Sequence, residues 1–579
     1  MIARRLGACG LALAAFACAA PAVTASPARA RSAEVIVQFQ PGVAPAARRA
    51  EVRAAGGRVV RDLHVIRGLG VRIAPGALSR LAALPGVRAV TPNARMRVAA
   101  AGSGGSNGSN GSAGSNGSAP SGGSSGRWAD WNPATLATAF VQSTRADKSW
   151  TDPRWHATGA GVAVAVLDTG IAGQLPDFRS TPDGPSRVVA SVVTNPDATT
   201  AADTYGHGTH VAGLVAGNGR ALPASDPLFG RYAGTAPNAN LVSVKVSDDR
   251  GNADVMDVVA GLQFVVDHGA DYGVRVVNLS VGSTLAESYA VDPLDAAVEA
   301  AWLHGYVVVT AAGNHGTDAD AVSYAPANDP YAITVGAVDD KGTKDTADDR
   351  LAWWSSRGVT QDGFAKPDLV APGAHITAPL APHSDYASLC PDCVVDGRYF
   401  RVGGTSMSAP IVAGIAAGVI SAHPTWTPDQ VKGALTYNSG TLGPDGEPDT
   451  NLRLTADGSW EVAADAAVNA TRKELASNAG LAPNMYIDPA TGDIDTTRAS
   501  WGRASWKAAA DDLRASWGAA SWTLADASTA DPTADALTER ASWKRASWAR
   551  ASWKSFFGDD PAQYGELDGG NRGRVKPNR

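Results

Sequence analysis

The sequence predicts an α/β domain of three layers, a mostly parallel sheet between helices, preceded by a small α+β module. Three observations carry this. From about residue 131 to the 440s, runs rich in branched apolar residues (GVAVAVLD, NLVSVKV, VRVVNLSVG, YVVVTAAGN, YAITVGAV) alternate with helical stretches. Near-continuous apolar strands are buried on both faces, which points to a parallel sheet covered by helices. Ahead of them residues 33–98 read as a separate β-α-β-β-α-β unit, and a Gly/Ser/Asn stretch at 101–126 divides the two.

Taken in order, residues 1–25 read as an export signal. Arg4 and Arg5 precede a short apolar run, and small residues stand where cleavage would fall, at Ala25 or as late as Ala30. The protein is therefore expected to be secreted. The run is short and rich in Ala and Gly, and no later stretch reaches the roughly 18 apolar residues of a membrane span, so no transmembrane segment is expected. Cys9 and Cys18 lie inside this leader, in surroundings that fit a lipoprotein anchor poorly.

In the module at 33–98, EVIVQFQ reads as a strand, PAARRAEVRAAGG as a helix ended by glycines and RVVRDLHVIRGLGVRIA as two short strands. ALSRLAALPG follows as a helix and VRAVTPNARMRV as one last strand. The order is the split ferredoxin-like arrangement. Residues 101–126 carry no apolar side chain beyond alanine and one proline. Such a segment buries nothing and serves as a tether, spanning about 28 Å as a random coil. The α/β domain is placed at 131–465 and a C-terminal extension at 470–579. There Ala-Ser-Trp ends at Trp501, Trp506, Trp517, Trp522, Trp543, Trp548 and Trp553. Spacings of five fit neither a helical stripe nor one face of a strand. The extension is expected to be largely disordered, or else to contact a cell-surface polymer through its Trp and Arg residues.

The chain of 579 residues is 44% hydrophobic and 18% charged, with a net charge of −6. Residues 1–100 hold 15 Arg and three acidic residues, or +12, which leaves −18 on the rest. A basic leading part and an acidic body suggest electrostatic complementarity, and no basic stripe in the body suggests nucleic acid. Outside the leader only Cys390 and Cys393 remain. In CPDC they could close a small disulfide ring, whereas zinc would need two further ligands nearby. No metal ligand set is assigned.

The chemistry is concentrated in three motifs. GGTSMSAPIVAG (403–414) holds Thr405, Ser406 and Ser408, and a serine attacks only if a base takes its proton and a third group holds that base. Gly403 and Gly404 leave room for a passing backbone, Thr405 and Ser406 sit at a turn, and Pro410 suits the first turn of a following small-residue helix. Ser406 would then lie where a helix dipole favours negative charge. DTYGHGTHVAGLVAG offers His207 and His210; Gly206 and Gly208 flank His207, which is the better base. GVAVAVLDTGI ends a buried strand on Asp168, a charge that needs a partner such as an imidazole N–H.

Together, VLDTGI, HGTHVAG and GTSMSAP, in that order, resemble the motifs of the subtilisin-like serine proteases, whose triad runs Asp, His, Ser along the chain. The resemblance covers roughly residues 150–430. It implies a three-layer subtilisin-like domain and a secreted serine endopeptidase with Asp168, His207 and Ser406 as catalytic residues. VVVTAAGNHG places an oxyanion donor on Asn314, with the Ser406 N–H as the second. Ser280, Val281 and Gly282, with Ala311, Ala312 and Gly313, would line a roomy, uncharged cleft for polypeptide substrates. The module at 33–98 resembles an inhibitor-type, chaperone-like propeptide, so the enzyme would be a zymogen held by its own prodomain. No cofactor is implied for catalysis; structural calcium is, with DDKGTKDTADDR as a weak candidate loop. A sedolisin-like peptidase would put a glutamate and an aspartate where this chain has histidine and asparagine. The non-enzymatic alternative is a catalytically silent fold of this kind that binds peptides and carries a Trp-rich surface-binding tail.

Overall fold

The computed structural model describes residues 32–40, 42–98, 133–436, 438–442, 448–450, 452–454, 460–470 and 477–484. The leader, the linker at 101–126 and the Ala-Ser-Trp repeats lie outside the described residues.

The N-terminal module contains β1 (Ala33–Phe39), α1 (Pro45–Ala54), β2 (Arg58–Leu63), β3 (Gly68–Ile73), α2 (Leu78–Ala82) and β4 (Val87–Pro92). Its antiparallel sheet has the order β2-β3-β1-β4, the ferredoxin-like arrangement that the pattern predicts. Successive side chains along β1 point to opposite faces of the sheet. Val35, Val37 and Phe39 join Val52, Leu69, Val71 and Leu81 in the module's own core. Ile36, on the opposite face, joins Leu63, Val65 and Ile66 in the core of the large domain.

The last strand departs from expectation. VRAVTPNARMRV is not one strand but two, β4 and β5 (Arg95–Val98), which belong to different sheets. The break falls after Pro92, where Asn93 turns toward the large domain: its Oδ1 accepts the Met256 N–H at 3.1 Å and its Nδ2 donates to Asp254 at 3.2 Å.

In the large domain, two short helices, α3 (Phe140–Ser143) and α4 (Ala146–Thr151), lead into β6 (Ala163–Asp168), β7 (Val188–Val193) and β8 (Asn240–Lys245). Then come β10 (Val274–Leu279), β12 (Val307–Ala311) and β13 (Ile333–Asp339). They pair in parallel in the order β7-β8-β6-β10-β12-β13, continued by Leu369–Pro372 and Trp460–Val462, in a ten-stranded sheet. Every residue of β6 and β12 is buried, as two-sided coverage requires. One helical layer holds α5 (His207–Ala216) and α9 (Thr405–Ala422); the other holds α6 (Val255–His268) and α7 (Pro293–Leu303). Between β6 and β10 the strand order reverses direction, and in such sheets sites form at the carboxyl ends of the strands there.

α9 has the length and mean hydropathy (1.5) of a membrane span, but 89% of that window is buried inside the domain. It begins at Thr405, not after the GTS turn, so Thr405 and Ser406 are its first two residues and Pro410 stands inside it rather than in its first turn.

The module docks on α6 and α7 through β2 and the turn after it. Arg61 Nη1 donates to Asp257 Oδ1 at 2.8 Å and to the Met256 carbonyl at 3.0 Å. β5 enters as the middle strand between β9 (Ala253–Asp254) and β11 (Val281–Ser283), antiparallel to both, with Val98 opposite Val281 and Arg95 opposite Asp254.

Candidate active site

Asp168 ends β6, and His207 opens α5. The two are buried, and His207 Nδ1 lies 2.7 Å from Asp168 Oδ1 and 2.9 Å from Oδ2. A proton on Nδ1, directed at the carboxylate, is the tautomer that leaves the Nε2 lone pair free, as a base requires. Nε2 is buried without a hydrogen-bond partner among the described residues. The ring of Tyr386, on α8 (Asp385–Leu389), stands edge-on to the imidazole at 6.3 Å.

The start of α5 is held by Asp203, which the sequence reading missed. Its Oδ1 accepts the Gly206 N–H at 2.7 Å and the Thr169 hydroxyl at 2.8 Å, and its Oδ2 accepts the Thr209 N–H at 2.8 Å. Burial pushes its carboxyl pKa up even so. Thr169 Oγ1 in turn accepts the Gly208 N–H at 2.9 Å. An acidic residue three positions before Gly206 and a threonine directly after Asp168 were the available signals. Gly206 has φ +109°, and a Cβ on Gly208 would lie 2.2 Å from the Gly170 carbonyl, so both glycines are required for this approach.

His210 has a different role. Its Nε2 donates to the Phe400 carbonyl at 2.9 Å, and burial lowers its pKa to about 3, so it remains a neutral tie between α5 and its neighbour.

Ser406 is the second residue of α9. Its hydroxyl donates to the Ser280 carbonyl at 3.0 Å, and among the described residues no hydrogen bond joins it to His207. Hydrogen bonds of this kind often form only in the reacting complex. Asn314 follows β12. Its Oδ1 accepts Thr405 N–H at 3.0 Å and the Thr405 hydroxyl at 3.1 Å, which leaves the Nδ2 protons available. Gly313 N–H donates to Thr405 Oγ1 at 3.1 Å, tying the end of β12 to the start of α9.

The predicted cleft residues fall on two neighbouring strand ends. Ser280, Val281 and Gly282 pass from β10 into β11, and Ala311 ends β12, with Ala312 and Gly313 directly after it. β5 occupies the groove beside them. Met96 and Arg97 line a narrow pocket together with Asp168, Thr169 and Val281.

Cys390 and Cys393 are joined in a disulfide. Among the described residues no three His, Cys, Asp or Glu side chains converge to hold a metal. In the acidic loop Asp340, Asp345 and Asp348 accept hydrogen bonds from the loop's own Gly342, Ala347 and Thr343.

A model of the subtilase family matches residues 159–455, and a peptidase inhibitor domain model matches residues 16–93. Serine protease AprX of Bacillus subtilis (strain 168) is 38% identical over 283 residues, which are 48% of this chain and 61% of AprX. Subtilisin Savinase of Lederbergia lenta is 36% identical over 286 residues, 49% of this chain and 86% of that protein. Among solved structures, fervidolysin from Fervidobacterium pennivorans, a keratinolytic enzyme related to subtilisin, aligns with a TM-score of 0.53 at 23% identity. That alignment covers 77% of this chain and 62% of fervidolysin, and it speaks for the fold. With over half its length under one family model, and Savinase matched across most of its own length, this chain belongs to the subtilase family.

Proposed function

We propose that the protein is a secreted serine endopeptidase made as a zymogen. The reading rests chiefly on one observation: a buried carboxylate-held imidazole at the end of β6 with an unpartnered Nε2, in a domain that carries Ser406 at the head of α9. Ser406 Oγ leaves the Ser280 carbonyl, gives its proton to His207 Nε2 and attacks a peptide carbonyl. Asp168 holds the ring and stabilises the imidazolium. The Ser406 N–H and Asn314 Nδ2 receive the oxyanion, where prepositioned donors reduce the barrier most. His207 then protonates the leaving amine, and water releases the acyl-enzyme by the same steps in reverse order. Substrates are polypeptides bound as an added strand.

β5 supports the zymogen reading. It already fills the space between β9 and β11 with main-chain pairing, so an extended substrate would compete with the chain's own prodomain for that edge.

A serine-directed fluorophosphonate probe tests the proposal. Wild-type protein should label, whereas Ser406→Ala should not label and should retain an uncut prodomain. Failure of the wild type to label, after its prodomain has been removed, would favour the silent peptide-binding alternative.

A further inference from the structure

Pro410 stands inside α9, where it has no N–H to donate to the carbonyl four residues back, that of Ser406. The proline ring also crowds that carbonyl. The missing donor comes from another element: Ser280 Oγ, directly after β10, donates to the Ser406 carbonyl at 2.9 Å. The Ser280 hydroxyl is itself oriented, because Asn278 Nδ2 donates to its oxygen at 3.0 Å and so leaves the hydroxyl proton for Ser406. Asn278, Ser280 and Ser406 are all fully buried with the N-terminal module in place.

We propose that Ser280, oriented by Asn278, is a positioning residue for Ser406, and that Pro410 makes it necessary by withholding the helix's own donor. The side-chain bond from Ser406 to the Ser280 carbonyl must break when Oγ turns to His207. The reverse bond, from Ser280 Oγ to the Ser406 carbonyl, need not break. It holds the Ser406 main chain, and with it the N–H aimed at the oxyanion, while the side chain moves. The inference rests on the reading of Ser406 as nucleophile. It predicts a loss in turnover rather than in substrate affinity, because the held group acts in the transition state.

The test is a cycle on the processed full-length protein with a peptide substrate. Ser280→Ala should lower kcat about tenfold, the worth of one buried hydrogen bond, and leave KM within about twofold. Adding Pro410→Ala to it gives residue 410 an N–H, restores the helix bond to Ser406, and should recover most of the lost kcat. If Ser280→Ala does not fold, Ser280→Cys, which keeps the shape with a weaker donor, should show a smaller loss that Pro410→Ala again repairs. An unchanged kcat in the serine variants, or a double variant no faster than its Ser280 parent, overturns the proposal. Fluorophosphonate labelling of the wild type separates that outcome from failure of the Ser406 reading, in which the wild type itself does not label.

Discussion

His207 and His210 lie one helical turn apart, both fully buried, yet their chemistry differs because of single contacts. Asp168 holds the first, whereas a main-chain carbonyl holds the second in a site with no charge to stabilise imidazolium. The pKa of His210 falls from 6.5 to about 3 on burial. Below pH 6.5 the unfolded chain therefore binds a proton that the folded chain refuses, and stability is lost as the pH falls from 6.5 toward 3. His210→Gln, which keeps a donor for the Phe400 carbonyl, removes this titration. In a Ser406→Ala background, which removes the proposed nucleophile, urea unfolding at pH 7 and pH 4 should show the His210 protein losing about 3 kcal/mol more than the glutamine variant. Equal losses would refute this account of His210. The GHGTH spacing singled out His207 over His210 as the candidate base, but nothing local distinguished a tie from a bystander at 210.

At the scale of elements, α7 shows how far amphipathic reading can mislead. Asp292 caps it, accepting the N–H groups of Leu294 at 2.7 Å and Asp295 at 3.2 Å. Asp295 and Glu299, four apart, would ordinarily mark a solvent face, but both are fully buried. Neither carboxylate oxygen of Asp295 has a hydrogen-bond partner among the described residues. Burial, with the charges of Asp292, Asp329 and Glu299 adding to it, raises the Asp295 pKa well above the usual range. Burial likewise raises Asp292 and Asp329 to about 7. A raised carboxyl pKa means the folded state keeps a proton the unfolded chain releases, so stability falls as the pH rises above about 4. Asp295→Asn should therefore melt higher than the parent at pH 8, by roughly 2–4 °C per kcal/mol, with the gap closing toward pH 5. A variant that melts lower at pH 8 would show that the carboxylate is needed in ionised form.

For the whole molecule, the decisive feature is that the N-terminal module is held at two places, the β2 face on α6 and α7 and the β5 strand in the cleft. The expected charge complementarity appears at the mostly buried Arg61–Asp257 pair. Arg61→Ala removes two hydrogen bonds to the large domain. Asp257 Oδ1 loses the Arg61 donor, but its Oδ2 keeps Asn195 Nδ2 at 3.0 Å and the Asp254 N–H at 2.9 Å, so that domain should stay intact. After processing, the cut module should dissociate roughly tenfold more readily, and the lag before activity appears should shorten. An unchanged lag at equal protein concentration would assign the hold to β5 alone.

Much of this protein was legible along the chain. The alternation of apolar strands and helices, the β-α-β-β-α-β module and the three motifs at 168, 207 and 406 are matters of residue type and order, which periodicity and local propensity report directly. What the chain could not state is which separated groups meet. The Asp168–His207 pair spans 39 positions and the Ser280–Ser406 pair 126, and both depend on the register of parallel strands and the placement of helix starts against them. The transfer of β5 to a second sheet, the burial of Asp295 and the donor that replaces the missing N–H of Pro410 were likewise settled by packing. A local pattern says what a residue can do; only its neighbours in space, through burial and hydrogen bonding, determine what it does.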